Sequence, residues 1–252
     1  MPVSSTPELL CARISAFHAL VYTCDAPWKG TAVGYETTFT GQVTITPPLN
    51  QHEIDYLLAF AETRHEPRSA GPYALGYGDE IEDARDPDPS KPGYWCKWAP
   101  TADGTAIAWN EHEKFYDAEF WMGYLVHTFL KQDATVARER VDPVPGRVYP
   151  PALDRFTFDH VVDGVIEAEG EWPDDRWRIE VRANAVYVVR LLTEPDHAEY
   201  PRTHRDDWTD EQRADFAART RHNFVYLVRE GRLHEVGPAD GTSFDPIPAD
   251  VD

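Results

Sequence analysis

Polar and apolar residues alternate along positions 39–46, and two prolines follow directly. A period of two is typical of a half-buried strand, and proline ends it because proline cannot donate to a ladder. Apolar positions then recur at intervals of three and four between Ile54 and Ala61, which predicts an amphipathic helix. Asn50 and Glu53 have the spacing of a capping box, so we expect the helix to begin there.

Two aromatic segments flank the dipeptide Asp103-Gly104, a strong hairpin signal. A turn centred there places Trp98 opposite Trp109, a stabilising aromatic cross-strand pair. A second helix is predicted from about Asp117, with a broad apolar face. Between the first helix and this hairpin, residues 66–93 are rich in Pro, Gly and Asp and are predicted to form a long, solvated acidic loop.

A β-meander is predicted after a proline-rich connection. A turn at residues 172–175 pairs Glu169 with Arg178 and places Trp177 across from Gly170. This register puts the ion pairs on one face and the apolar side chains on the other, as expected for a sheet with one buried face.

The predicted order of the core is therefore β-α-β-β-α-β-β-β. It corresponds to an α+β fold of ferredoxin-like type, an antiparallel sheet with two helices on one face. We assign the core domain to residues 33–190 and a C-terminal helix-hairpin appendage with a disordered tail to residues 191–252. Residues 1–32 do not share the pattern and are predicted to be an N-terminal extension.

Composition narrows the functional classes. The 44 acidic residues outnumber the 24 basic ones, and the formal net charge of −20 disfavours binding to nucleic acid or to anionic membranes. No stretch approaches the roughly 18 apolar residues of a membrane span. The three cysteines form no CxxC motif, which favours a reducing, cytoplasmic location. The preference for arginine over lysine and the 21 prolines are typical of a GC-rich bacterial genome.

Residues 34–190 resemble a family of uncharacterised bacterial proteins with WCxW and EKFY motifs. The segments that carry the resemblance are GYETTFTGQVTITPPLN, WCKWAPTADGTAIAWNEHEKFY and FTFDHVVDGVIEAEGEWPDDRW. The resemblance implies no established activity. Because members of this family typically begin at a glycine-tyrosine pair, it also implies that the domain starts near Val33.

Four residues are candidates for catalysis. Glu113, Lys114 and Tyr116 lie side by side between the hairpin and the second helix, and His160 precedes the meander. A carboxylate or imidazole can transfer protons, and a lysine or tyrosine can stabilise developing negative charge. The alternative is a polar connection whose acids lie near a helix N-terminus, where negative charge is favourable.

No metal or cofactor site is predicted. The chain contains no GxGxxG, GxxxxGK[ST] or GxSxG motif. Asp159, His160 and Asp163 are close in sequence, but their spacing matches no metalloenzyme signature.

The candidate binding residues are Trp95, Trp98, Arg64 and His112. Tryptophans in such a segment are mostly core residues. However, strand alternation directs Trp95 to the side opposite Trp98, and an exposed Trp95 beside the acidic loop would form a ligand platform or a partner anchor.

Two functions remain open. The first is an interaction module that recognises a protein or a small ligand, for example an antitoxin-like or immunity-like protein that neutralises a basic partner. The second is a small cytosolic hydrolase or transferase that uses Glu113, Lys114, Tyr116 and His160. Convergence of these residues with Arg64 in one pocket would favour the enzyme, and an exposed aromatic patch would favour the interaction module.

Overall fold

The computed structural model of the chain describes residues 35–76, 85–171, 175–195, 197–203 and 205–238. The predicted N-terminal extension and the predicted disordered tail lie outside these residues, apart from the last position of β8. Over the described ranges the chain forms one antiparallel sheet and four α-helices.

The eight strands are β1 (Thr37–Thr46), β2 (Trp98–Pro100), β3 (Ala106–Trp109), β4 (Val161–Gly170), β5 (Arg176–Arg182), β6 (Ala185–Thr193), β7 (Arg221–Arg229) and β8 (Arg232–Pro238). The helices are α1 (Gln51–Glu62), α2 (Ala118–Leu125), α3 (Thr135–Val141) and α4 (Asp210–Arg219). A π-helical turn, Val126–Leu130, continues α2. The strand order is β2-β3-β1-β4-β5-β6-β7-β8.

The predicted α+β class and antiparallel sheet are confirmed. The predicted ferredoxin-like topology is not confirmed. Strand β1 pairs with β3 in the antiparallel direction, whereas the split β-α-β units of a ferredoxin-like fold pair parallel strands. Strands β7 and β8 continue the sheet beyond β6, so the C-terminal hairpin predicted as an appendage adds to the core sheet.

Helices α1 and α2 pack on the same face of the sheet. The core includes alternate residues of β1 and the apolar stripes of both helices, with members such as Phe39, Val43, Ile45, Ile54, Leu57, Phe60, Trp121, Met122 and Leu125. The predicted capping box starts α1: the Asn50 side chain accepts from the Glu53 amide, and the Glu53 carboxylate accepts from the Asn50 amide at 2.7 Å.

The predicted β2–β3 hairpin is also confirmed, with Trp98 opposite Trp109. Its turn requires glycine at position 104, where φ is +69°. A Cβ there would lie 2.6 Å from the Leu49 carbonyl oxygen, closer than two such atoms can approach.

The predicted register of the meander is wrong by two residues. Ala168, not Gly170, lies opposite Trp177, and Arg178 lies opposite Glu167 rather than Glu169. The amide of Gly170 donates to the Asp175 carbonyl, so Asp175 belongs to the ladder and not to the turn. A shift of two residues leaves every side chain on its predicted face, which is why the pattern of charges did not reveal it.

Candidate functional site

Trp95 lies on the surface directly before β2. Its side chain is 37% exposed, whereas Cys96 and Trp98 on the opposite side are fully buried. The Trp98 indole donates to the Ala118 carbonyl at 2.7 Å, and its ring packs edge-on against the ring of Phe39. Trp98, a predicted binding residue, is therefore a core residue out of reach of a ligand, and Trp95 remains as the accessible tryptophan of the pair.

The connection from β3 to α2, residues 110–117, contacts Lys97, two positions after Trp95, and is held at several points. The Asn110 amide donates to the Lys97 carbonyl at 3.0 Å, and the Lys97 ammonium donates to the Lys114 carbonyl at 3.2 Å. Phe115 is buried in the core, with its ring 5.0 Å from that of Trp98. The connection is thus fixed in place although it has no regular secondary structure.

Three residues of this connection have left-handed backbone conformations. The φ angles are +63° at Glu111, +60° at Lys114 and +57° at Asp117, and none of these residues is glycine. A left-handed conformation costs a residue with a Cβ roughly 1–2 kcal/mol. Backbone strain of this kind is concentrated at binding and catalytic sites, which makes the connection a candidate site.

We define the Trp95 face as Trp95, Lys97, Glu113, Lys114 and Tyr116. Tyr116 is 52% exposed, and Glu113 and Lys114 are exposed as well. Lys97 is only 8% exposed, and burial lowers its pKa; the nearby Glu113 carboxylate opposes this effect and Lys114 adds to it. Lys97 contacts Lys114 and lies near Glu113, so groups of both charges meet here, and the exposed aromatic residues Trp95 and Tyr116 each lie two positions along the chain from this contact.

His112, another predicted binding residue, lies in the same connection. Its side chain is exposed, its amide is bonded to the Asn110 side chain, and its carbonyl accepts from the Trp109 indole at 3.1 Å. His112 is therefore an exposed side chain on the connection that carries Glu113 and Lys114.

Arg64 lies near Trp95 in the fold. Its guanidinium stacks on the ring of Tyr94 at 4.2 Å from the centroid and forms an ion pair with Glu66. The amide of His65 donates to the Tyr94 carbonyl at 2.8 Å, which ties this segment to the chain that carries Trp95. Sequence spacing gave no sign of this proximity, because 31 positions separate the two residues.

The flanks of the predicted solvated loop are partly buried. Glu66, Arg68 and Asp88 are each less than a tenth exposed. The prediction of a wholly solvated acidic loop is therefore wrong for these residues. Asp88 is tied to this region by its amide, which donates to the His65 carbonyl at 3.1 Å, and the charges of Arg68 and Asp88 both act on the pKa of His65.

His160 lies elsewhere, at the start of β4. On one side of β1, residue 161 pairs with Thr46, and on the other side Ala108 of β3 pairs with Gln42. His160 and the 110–117 connection are therefore separated by at least four residues along β1, roughly 13 Å. The four predicted catalytic residues are therefore not brought together in one pocket.

The His160 ring is part of a buried cluster. Nδ1 lies 2.7 Å from the Pro47 carbonyl oxygen, and Nε2 lies 3.2 Å from Glu53 Oε1 and 3.1 Å from Thr157 Oγ1. Burial by itself lowers the pKa of His160, but the bonds to Glu53 and Pro47 outweigh it and raise the pKa. Burial likewise raises the pKa of Glu53, but its bonds from His160, Thr157 and Asn50 outweigh this and lower it. We infer a buried ion pair that joins the ends of β1, α1 and β4.

The cluster predicts a specific pH dependence of stability. Because its pKa is raised on folding, His160 stabilises the fold fully below about pH 6.5, and this contribution is lost as the pH rises through the raised value. Thermal midpoints measured from pH 6 to 9 should therefore fall with pH, and His160→Gln should flatten that slope.

His112→Gln is the control for this experiment, because His112 is exposed and should leave the slope unchanged. His65 and His127 have lowered pKa values, so their titration affects stability only below about pH 6.5. A slope that persists in His160→Gln would contradict the assignment of the ion pair.

A cavity of about 570 Å³ adjoins this cluster, lined by Gln132, Ala137, Thr157, Phe158, Asp159, His160, Val161 and Asn184. None of Glu113, Lys114 and Tyr116 reaches it. Both ring nitrogens of His160 are already bonded within the protein, so the ring has no free nitrogen for proton transfer to a ligand.

Among the residues that the structure describes, no group of three or more His, Cys, Asp or Glu side chains is arranged to hold a metal ion. No helix in the described part of the chain is long and apolar enough to cross a bilayer. Comparisons with family models, with curated proteins and with solved structures give no match to this chain.

Proposed function

We propose that this protein is a cytoplasmic interaction module that binds its partner through the Trp95 face. The observation that supports the proposal is the exposed side chain of Trp95. The chain is held by hydrogen bonds both before and after this residue. Tryptophan is enriched among the residues that dominate binding energy at interfaces. The family resemblance of residues 34–190 is part of the same proposal, since the WCxW and EKFY motifs supply Trp95, Glu113, Lys114 and Tyr116.

Rigidity supports a role in binding. Phe115 anchors the connection in the core, and the bond from Lys97 to the Lys114 carbonyl ties the connection to the segment of Trp95. A surface that is already ordered loses little conformational entropy on association, so more of its contact energy appears as affinity.

The partner is a protein or a small ligand, and the net charge of −20 favours a basic one by electrostatic attraction. Neutralisation of a basic toxin, as by an antitoxin or an immunity protein, fits this description. The enzyme alternative is weaker because His160 is distant from Glu113, Lys114 and Tyr116.

The test begins with capture of the partner from source cells and continues with titration calorimetry on the purified pair. Trp95→Ala should weaken binding by at least about 30-fold, the loss typical of an interface hot spot. Its free energy of unfolding should change by less than about 1 kcal/mol, because Trp95 is a surface residue.

Glu62→Gln is the matched control, since Glu62 is an exposed acidic residue outside the Trp95 face. It should retain both stability and most of the affinity. A stable Glu113→Gln protein that loses cellular function while Trp95→Ala keeps it would reject the interaction module in favour of the enzyme.

A further inference from the structure

The outer face of the sheet, on the side opposite α1 and α2, is exposed over some strands and buried over others. One row of paired residues crosses it from β1 to β7 through Thr40, Glu167, Arg178, Val189 and Val225. Thr40 and Glu167 are exposed, whereas the last three are 3%, 1% and 2% exposed. The outer face is therefore open to solvent over β1 and β4 and covered from β5 onward.

The next row of the same face has the same boundary. Val165 of β4 is 39% exposed, whereas its neighbour Glu180 and the following Tyr187 are 4% and 6% exposed. The other side of β5 is buried as well, because Ile179 belongs to the core beneath the helices. A strand that is buried on both sides requires a packing layer on each face of its sheet.

The buried apolar residues of the outer face form a cluster of their own. Its members are Tyr187, Val189 and Val225, with Ala185, Leu227 and Val236 packed against them. All six come from β6, β7 and β8, so within the described ranges the cluster has no member from a helix or a loop. Side chains of one sheet face cannot exclude water from one another on the open side, so a further segment must cover them.

The described helices have their apolar side chains committed elsewhere. The large buried residues of α1, α2 and α3 belong to the core on the inner face. Phe216 of α4 packs with Tyr200 and Trp208 in a separate cluster. Because the outer face is buried in a single copy of the chain, its cover belongs to this chain and not to a second copy.

The N-terminal extension has the sequence of an amphipathic helix. Its apolar stripe, at intervals of four, three and four, consists of Leu10, Ile14, Phe17 and Val21. Ser5 and Glu8 have the spacing of a capping box, which places the start of the helix before this stripe. A helix of this length gains most of its stability from packing its apolar face, so the stripe needs an apolar surface.

The extension is also long enough to reach the outer face. Residues 23–34 join it to Tyr35, ahead of β1, and twelve extended residues span up to about 40 Å. Strand β6 is three strand spacings from β1, roughly 14 Å.

The other long segments outside the described ranges fit this face less well. Residues 239–252 contain Pro246 and Pro248 and four aspartates, and residues 77–84 contain four acids in eight positions. Neither has an apolar stripe, because proline interrupts a helix and a run of acids favours solvent.

We infer that residues 8–22 pack as a helix on the outer face of β5, β6 and β7, with the stripe against Tyr187, Val189 and Val225. The same contact gives the apolar strands their missing layer and the amphipathic segment its apolar surface. Strand β2, which follows Trp95, lies at the other end of the strand order, so this contact is independent of the Trp95 face.

The first test is Phe17→Asp in the full chain. It places a charge within the stripe, and we expect the thermal midpoint to fall by about 6 °C or more, as for the loss of a buried aromatic side chain. Fluorescence of the dye ANS, which binds exposed apolar surface, should increase. Ser15→Asp is the matched control, because it adds the same charge on the opposite side of the predicted helix and should change the midpoint by less than about 1 °C.

The second test locates the segment and does not disturb the stripe. A spin label is attached to Ser15→Cys after Cys11 and Cys24 have been replaced by serine; Cys96 is buried. The label should broaden the methyl resonances of Val189 and Val225. It should broaden those of Ile54 and Leu57 much less, because these residues belong to α1 on the inner face.

Three outcomes would overturn the inference. An unchanged midpoint in Phe17→Asp without broadening at Val189 and Val225 would mean that the extension is dispensable, as for a domain that starts near Val33. A fall of the midpoint with broadening confined to other parts of the protein would place the segment elsewhere. Destabilisation by Phe244→Asp but not by Phe17→Asp would assign the cover to residues 239–252.

Discussion

Trp177→Ala is expected to lower the free energy of unfolding by about 3–5 kcal/mol, as measured by urea denaturation. The Trp177 side chain is buried, and its ring meets that of Phe39 edge-on at 5.8 Å between centroids. The Arg190 guanidinium lies over the ring at 5.3 Å. Alanine would lose these contacts and leave a cavity on the buried face of the sheet. Strands β1 and β5 cannot move together to close it, because both are paired to β4, which lies between them.

The control for this substitution is Glu169→Ala. Glu169 is exposed and lies opposite Arg176, so the change should cost less than about 1 kcal/mol. A larger loss for Glu169→Ala than for Trp177→Ala would contradict the burial of Trp177 and the exposure of Glu169.

Glu53→Ala should also destabilise the protein by about 3–5 kcal/mol. The Glu53 carboxylate accepts from the amides of Asn50 and Thr157 and from the Thr157 hydroxyl, and it pairs with the His160 ring at 3.2 Å. Its removal leaves the buried imidazole without its anion and removes half of the capping box of α1.

The same denaturation experiment includes two comparisons. Glu62→Ala, at the exposed end of the same helix, should change stability by less than about 0.5 kcal/mol. The double variant Glu53→Ala/His160→Leu should recover part of the loss, because it removes both charges of the pair. A cost below about 1 kcal/mol for Glu53→Ala would show that the cluster does not hold β1, α1 and β4 together.

Local signals in the sequence were sufficient for several elements. The capping box at Asn50 and the hairpin around Asp103-Gly104 depend on residues within a few positions of each other, and both are present as predicted. By contrast, the register of the meander required a choice between pairings that differ by two residues. Strand alternation is identical in both, so the pattern carried no information on that choice.

The candidate site was predictable in part. The exposure of Trp95 opposite a buried Trp98 follows from alternation alone, and the structure has both residues on those sides. The left-handed conformations at Glu111, Lys114 and Asp117 could not be predicted, since none of them is the glycine that usually marks such a position.

The sequence by itself determined the α+β class, the ends of α1, the aromatic hairpin and the side of the strand on which Trp95 lies. Each of these depends on periodicity or on contacts between near neighbours. Only the tertiary structure decided that His160 lies apart from Glu113 and pairs with Glu53 instead. Those facts depend on strand order and on the packing of distant segments, which bring together or separate residues regardless of their spacing along the chain.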